Sequence, residues 1–106
     1  ANMPVTPAGM EILEEKKVEV FPDILANAGG VIGSMAEYSS SLSSRQRDVK
    51  WVLDYVKDLI EESADAALDV AKSEKINLTE AAIQLAVMRV HKAMRERGWL
   101  TTIHSE

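Results

Sequence analysis

Apolar positions recur by threes and fours along most of this chain, the period of helices with one buried face. Met10, Ile12 and Leu13 form the first such stripe, with Glu11, Glu14 and Glu15 on the opposite side. Thr6 is a natural N-cap and Pro7 sits where a first helical residue needs no N–H, so the pattern predicts a helix over 7–16. Val49, Val52, Val56, Leu59, Ser63, Ala67 and Val70 share one face, widened by Trp51, Tyr55, Ile60 and Leu68. They predict a long helix over 46–74. Ala82, Ile83, Ala86, Val87, Val90, Ala93 and Met94 predict a last helix over 78–97. Asn77 is its expected N-cap, with Glu80 three residues on in capping-box fashion, and Gly98 is its expected C′ residue. Trp99 and Leu100 are expected to fold back on its end, followed by a tail over 101–106.

The period changes at Val18-Glu19-Val20-Phe21, a β-favouring run closed by Pro22-Asp23. It predicts one short strand. A single strand leaves its backbone groups unpaired, so its partners are expected across a dimer or in another part of a larger protein. After it come Ile24-Leu25-Ala26-Asn27-Ala28-Gly29-Gly30-Val31, where the glycines permit close approach of a neighbour. A helix is expected from Val31 to Ser41, with a serine-rich joint over 39–44.

Composition narrows the chemistry. With 106 residues, 46% apolar and 27% charged, the chain reads as one ordinary globular domain with one modest core. It contains no cysteine, so disulfides, thiolate metal sites and cysteine nucleophiles are excluded. A formal net charge of −5 argues against nucleic-acid binding through phosphate neutralisation. No apolar run approaches the roughly 20 residues that span a bilayer. A cytoplasmic location with no membrane partner is therefore expected.

Few residues invite a site. His91 and His104 have no partner at metal-ligand spacing and read as surface histidines. The carboxylates of Asp58, Glu61, Glu62 and Asp65 read as a solvated helix face. Arg89, Lys92, Arg95 and Arg97 suit a helix C-terminus, with anion binding as the alternative. The stretch 22–38 is different. A strand end, a glycine-bearing loop and a helix N-terminus form the arrangement that places ligands at the carboxyl edge of an α/β sheet. The Asn27 amide both donates and accepts there, and Ser34 is expected on the first turn with a free hydroxyl near the positive helix end. A helix entry at 27–30 and a merely small residue at 34 is the plainer alternative.

Pro22-Asp23-Ile24-Leu25-Ala26-Asn27-Ala28-Gly29-Gly30-Val31, followed by Ser34 and Glu37, resembles the amino-acid dehydrogenase superfamily, and glutamate dehydrogenases most. Ala1-Asn2-x-Pro4-x-Thr6-Pro7 is similar to the family's Gly-Ala-Asn-x-Pro-x-Thr-Pro segment without its first glycine. Ala81-Ala82, Arg89-Val90 and Ala93-Met94-x-x-Arg97-Gly98-Trp99 resemble its C-terminal helix. The likeness covers nearly the whole chain. Ser34-Met35-Ala36-Glu37-Tyr38 departs from the family's aromatic-rich Ser-Tyr-Phe-Glu-Trp.

The resemblance implies a parent enzyme that interconverts L-glutamate with 2-oxoglutarate and ammonia, using NAD or NADP. Asn27 would lie near the substrate α-carboxylate and the nicotinamide end of the cofactor, Asn2 beside the nicotinamide ribose, and Ser34 at the substrate side-chain carboxylate. The family's GxGxxG loop and its catalytic lysine and aspartate match nothing in this chain, so no catalytic residue is expected in it. The fold expected is mostly α, about four helices and one short strand, forming the C-terminal segment of an α/β Rossmann-like domain. Residues 1–45 would end the nucleotide-binding domain, and 46–106 would form a helical hairpin returning toward the substrate domain. The abrupt Ala1-Asn2 opening is expected to be a cut within a roughly four-times-longer enzyme. Such a piece would be inactive alone, and its parent a homo-oligomer, a hexamer in this family. The rival expectation is a stand-alone helical module that self-associates without catalysis.

Overall fold

The computed structural model describes residues 1–100. Helix α1 spans Pro7–Glu15, α2 Asp23–Ala26, α3 Ala28–Leu42, α4 Val49–Glu74 and α5 Leu78–Glu96. The caps follow the local chemistry. Thr6 Oγ1 accepts from the Gly9 amide at 3.1 Å, Asp48 Oδ1 from Trp51 at 2.7 Å, and Asn77 Oδ1 from Glu80 at 2.8 Å. Helix α5 ends as expected in a Schellman turn: Gly98 has φ 71°, its amide donates to the Arg95 carbonyl, and that of Trp99 to Met94. Helix α1 ends the same way with Lys17 at φ 55°, and α4 with Lys75 at φ 56°.

Three expectations change. Among the described residues there is no strand: Val18–Phe21 runs as irregular chain from the α1 cap to Pro22. β-propensity alone does not hold an extended segment in a ladder when no second strand lies beside it. Helix α3 begins at Ala28 rather than Val31, so both glycines lie within its first turn, and it absorbs Ser39, Ser40 and Ser41. Helix α4 begins at Val49 rather than 46, because Asp48 caps it. The expected tail over 101–106, with His104, lies outside the described residues.

Small residues govern the packing. On α4 and α5, Ala67 and Ala81 are fully buried and Ala82 nearly so, which brings the two helices close. Leu25 of α2 wedges between them against Ala67 and Ala82, with Leu78 and Leu85 at the margin. On the other side of α4, α3 lies against Val52, Val56 and Ile60 through Gly29 and Gly33. A β-carbon at Gly29 would stand 3.2 Å from Val56 Cγ1 and 3.4 Å from Ile60 Cδ1.

The single modest core expected from composition is smaller than the chain length allows. The accessible surface is 8781 Å², whereas a compact protein of this mass exposes about 5,900 Å². The Cα radius of gyration is 17.4 Å, against about 13 Å for a compact domain of 100 residues. The helices are therefore spread in a layer around α4, and much of their apolar surface is open. Ile83, Val87, Met88 and Val90 of α5, counted in the sequence among or beside a buried face, are all at least half exposed.

Candidate functional site

The site is built on the entry to α3. Pro22 is fully buried and Leu25 is anchored between α4 and α5, so the backbone on both sides of Asp23 is fixed. Asn27 follows as the residue that ends α2 and begins α3, with φ −99° and ψ −2°, a sparsely populated region frequent at functional sites. An asparagine there ordinarily turns its side-chain oxygen onto the new helix. Asn27 makes no such cap. Its Nδ2 donates instead to Asn2 Oδ1 at 2.8 Å and to the Ala1 carbonyl at 3.3 Å.

These two contacts fix the amide's orientation, because the opposite one would set Oδ1 against the Ala1 carbonyl. Asn27 Oδ1 and Asn2 Nδ2 have no protein partner among the described residues. One is an acceptor and the other a donor. A primary carboxamide needs one of each. Both asparagines are exposed, and Asn27 lines a groove of about 790 Å³ whose walls include Met3, Pro4, Val20, Phe21 and Ile83.

Ser34 stands seven residues beyond Asn27, about 10 Å along α3 and close to the same face. It lies in the helix's second turn, not its first, because α3 begins three residues early. Its hydroxyl donates to the Gly30 carbonyl at 2.9 Å, so the expected free hydroxyl is replaced by a back-bond to its own helix. Receiving a carboxylate requires the O–H to rotate off that carbonyl. Ser34 does not line the groove beside Asn27. The structure thus joins Asn2 to Asn27, and relates Ser34 to them only through the shared face of α3.

Two features of that face carry no strong local signal. Val31, one turn before Ser34, is 71% exposed and puts an apolar side chain between the two polar ones. Gly30 has nothing within 4 Å of where its β-carbon would stand, so local packing does not explain the glycine. Its bare backbone leaves room for close approach from outside.

The other candidates disperse. Arg89 donates to Ser63 Oγ at 3.2 Å, Lys92 pairs with Glu96 at 3.8 Å, and Arg97 lies over the Trp99 ring at 5.3 Å. Arg89 thus bonds across to α4, whereas Lys92 pairs within α5; Arg89, Lys92 and Arg95 line one open groove along α5 that Glu96 also lines. His91 is exposed. Among the described residues no group of three or more His, Cys, Asp or Glu side chains is placed to hold a metal ion. None of their helices is long and apolar enough to cross a membrane. Where Met35 and Ala36 stand on α3, α4 presents Trp51 stacked on Tyr55 at 5.0 Å, with Arg47 3.6 Å over the Trp51 ring. A groove of about 490 Å³ lies between them.

Residues 1–98 match the family model described as Glutamate/Leucine/Phenylalanine/Valine dehydrogenase. The chain is 39% identical to a glutamate dehydrogenase of Aeropyrum pernix, over 94% of this chain and 25% of that protein. It is 37% identical to an NADP-specific glutamate dehydrogenase of a Synechocystis species, over 92% and 23% respectively. A protein named glutamate dehydrogenase B, of Halobacterium salinarum, is also 37% identical over the same shares. The chain thus spans about a quarter of the length of the curated relatives it matches.

Proposed function

The chain belongs to the glutamate/leucine/phenylalanine/valine dehydrogenase family, and from that premise we propose that it forms one wall of an NAD(P)-dependent glutamate dehydrogenase cleft. Residues 1–45 end the nucleotide-binding domain of the parent, and 46–106 are the hairpin that returns toward the substrate domain. The observation that carries this reading is the 2.8 Å contact between Asn27 Nδ2 and Asn2 Oδ1. It unites two residues, 25 positions apart, that the resemblance assigns independently to the nicotinamide end of the cofactor.

The donor set fits that end of the cofactor. Asn27 Oδ1 and Asn2 Nδ2 would accept from and donate to the two halves of its carboxamide. NAD(P), when bound, supplies or accepts the hydride. The chain's own groups orient and select. Asn27, whose amide hydrogens go to Asn2 and Ala1, would lie near the substrate α-carboxylate without donating to it, Val31 would offer an apolar surface to a methylene chain, and Ser34 would rotate its hydroxyl off the Gly30 carbonyl toward a distal carboxylate. A serine there favours glutamate over leucine, valine or phenylalanine, because an unpaired carboxylate is costly to desolvate beside an apolar wall.

Hydride transfer needs cofactor and substrate held together in a closed, water-poor cleft. The proton-transferring lysine and aspartate and the phosphate loop implied by the resemblance have no counterpart in these 106 residues, so this chain is inactive by itself. The test is glutamate-dependent reduction of NAD or NADP by the chain alone and by the full polypeptide that carries it. Turnover by the chain alone sinks the proposal. A second reading, a helical module that self-associates without catalysis, is favoured by the exposed Ile83, Val87, Met88 and Val90 on α5. Both readings require that the open surface be covered, by the rest of a longer chain or by further copies.

A further inference from the structure

The contact between Asn27 and Asn2 has a second support. Asp23 Oδ2 accepts from the backbone amide of Met3, twenty residues away in sequence, while Oδ1 accepts from Ile24 at 2.9 Å. The Asp23 carbonyl accepts from the Asn27 amide at 2.8 Å. Asn27 then returns to Asn2 and Ala1 through its side chain. The result is a closed ring, from Asp23 to Met3, back along the chain to Asn2, across to Asn27, and through its backbone to Asp23. Met3 has φ 48°, a left-handed conformation that a methionine does not hold by preference. Among the described residues no other hydrogen bond holds the Met3 backbone there.

We propose that Asp23 is a positioning residue. Its carboxylate clamps the Met3 amide, and thereby holds Asn2 in register with Asn27 at the carboxamide-reading pair. The proposal rests on the functional reading above for the ligand, but the clamp itself does not. The arrangement needs two acceptor oxygens, those of a carboxylate rather than an amide. Two N–H donors, Ile24 and Met3, converge on Asp23, and each takes one oxygen. An asparagine has one oxygen and turns an NH₂ group toward the remaining donor. Its shape is the same and its acceptor count is one short. Neither asparagine's side chain hydrogen-bonds to the Asp23 carboxylate, so the carboxylate acts through the loop and not on the ligand.

The experiment uses the full polypeptide that carries these residues, with Asp23→Asn, Asp23→Glu, Asn27→Ala and the double variant. Backbone amide exchange at Met3 is measured together with KM for NAD(P) and for the amino acid. Asp23→Asn should expose the Met3 amide to exchange while amides of α4 and α5 keep their protection. It should raise the cofactor KM about tenfold, the scale of one hydrogen bond to a charged acceptor, and leave the amino-acid KM unchanged. Asp23→Glu, which keeps both oxygens, should restore part of the protection and affinity. In the Asn27→Ala background Asp23→Asn should add no further loss, because both act through the Asn2 loop.

An unprotected Met3 amide in the wild type overturns the clamp. An unchanged cofactor KM in Asp23→Asn, or losses that add fully in the double variant, overturns the positioning role. If Asp23→Asn fails to fold, Met3 exchange in the wild type and the Asp23→Glu kinetics still decide. A protected Met3 amide in a protein that binds no NAD(P) overturns the functional reading and the cofactor role, and leaves only the clamp.

Discussion

Adjacent glycines at the start of α3 should respond in opposite directions to the loss of their bareness. Gly29 faces α4, and even a β-carbon there stands 3.2 Å from Val56 Cγ1. Valine adds two further carbons toward Val56 and Ile60, which must move or push α3 away. Overpacking of this kind costs about 1–3 kcal/mol. Replacing glycine by a β-branched residue in a helix returns only about 0.5 kcal/mol. The net loss for Gly29→Val is about 1–2 kcal/mol, or about 5–10 °C in melting temperature for a unit of this size. Gly30 has nothing within 4 Å, so Gly30→Ala keeps the whole helical gain of about 0.5–1 kcal/mol. Thermal unfolding followed by far-UV circular dichroism reads both. A Gly29→Val protein as stable as wild type, or a Gly30→Ala protein as destabilised as Gly29→Val, refutes the packing of α3 on α4. In the full polypeptide Gly30→Ala should also raise KM while raising stability, because the added methyl group narrows the side of the helix proposed to meet the ligand.

Other expectations are simpler. Lys75 ends α4 at φ 56°, and Lys75→Gly should stabilise by about 1 kcal/mol through relief of the left-handed penalty, read as a higher melting temperature. Ala67 is fully buried between α4 and its neighbours, and Ala67→Leu should destabilise by about 1–3 kcal/mol, with loss of helicity at a lower denaturant concentration. Ser34 is exposed and bonded only within its own helix. Ser34→Ala should leave the melting temperature within about 2 °C, yet raise KM for glutamate at least about tenfold in the full polypeptide. The surface ion pairs at 50–54, 57–61 and 92–96 are all well exposed. Raising salt should therefore shift unfolding by less than about 1 kcal/mol.

The elements legible in the sequence were those whose signals are local. Thr6, Asn77 and Gly98 each announce a cap within three residues of the helix they end, and each cap is where its chemistry puts it. The long apolar stripe of α4 likewise fixes its own period. The misreadings concern partners. Val18–Phe21 has the composition of a strand, but a ladder needs a neighbour, and none lies beside it among the described residues. The glycines at 29 and 30 read as part of a loop before the helix. The close approach they permit is met inside the helix instead, where Gly29 lies against Val56 and Ile60.

The candidate site divides in the same way. Asn2, Asn27 and Ser34 stand out through their motifs, and the contact between the first two is a fact of folding that no local pattern contains. The Ser34 back-bond follows from where α3 begins, which the glycines obscured. From its neighbours Asp23 reads only as the close, with Pro22, of the β-favouring run, since its bond to Met3 spans twenty residues. The exposed stripe on α5 reads as a buried face because periodicity marks which face is apolar, not whether anything covers it.

The most direct test of the account is substrate-dependent reduction of NAD or NADP, followed spectroscopically, with glutamate and leucine offered to the full polypeptide, its Ser34→Ala variant and the 106-residue chain alone. The account predicts glutamate turnover by the full polypeptide, a selective loss of glutamate over leucine in Ser34→Ala, and none by the chain alone. Turnover by the isolated chain, or a full polypeptide indifferent to Ser34, contradicts it.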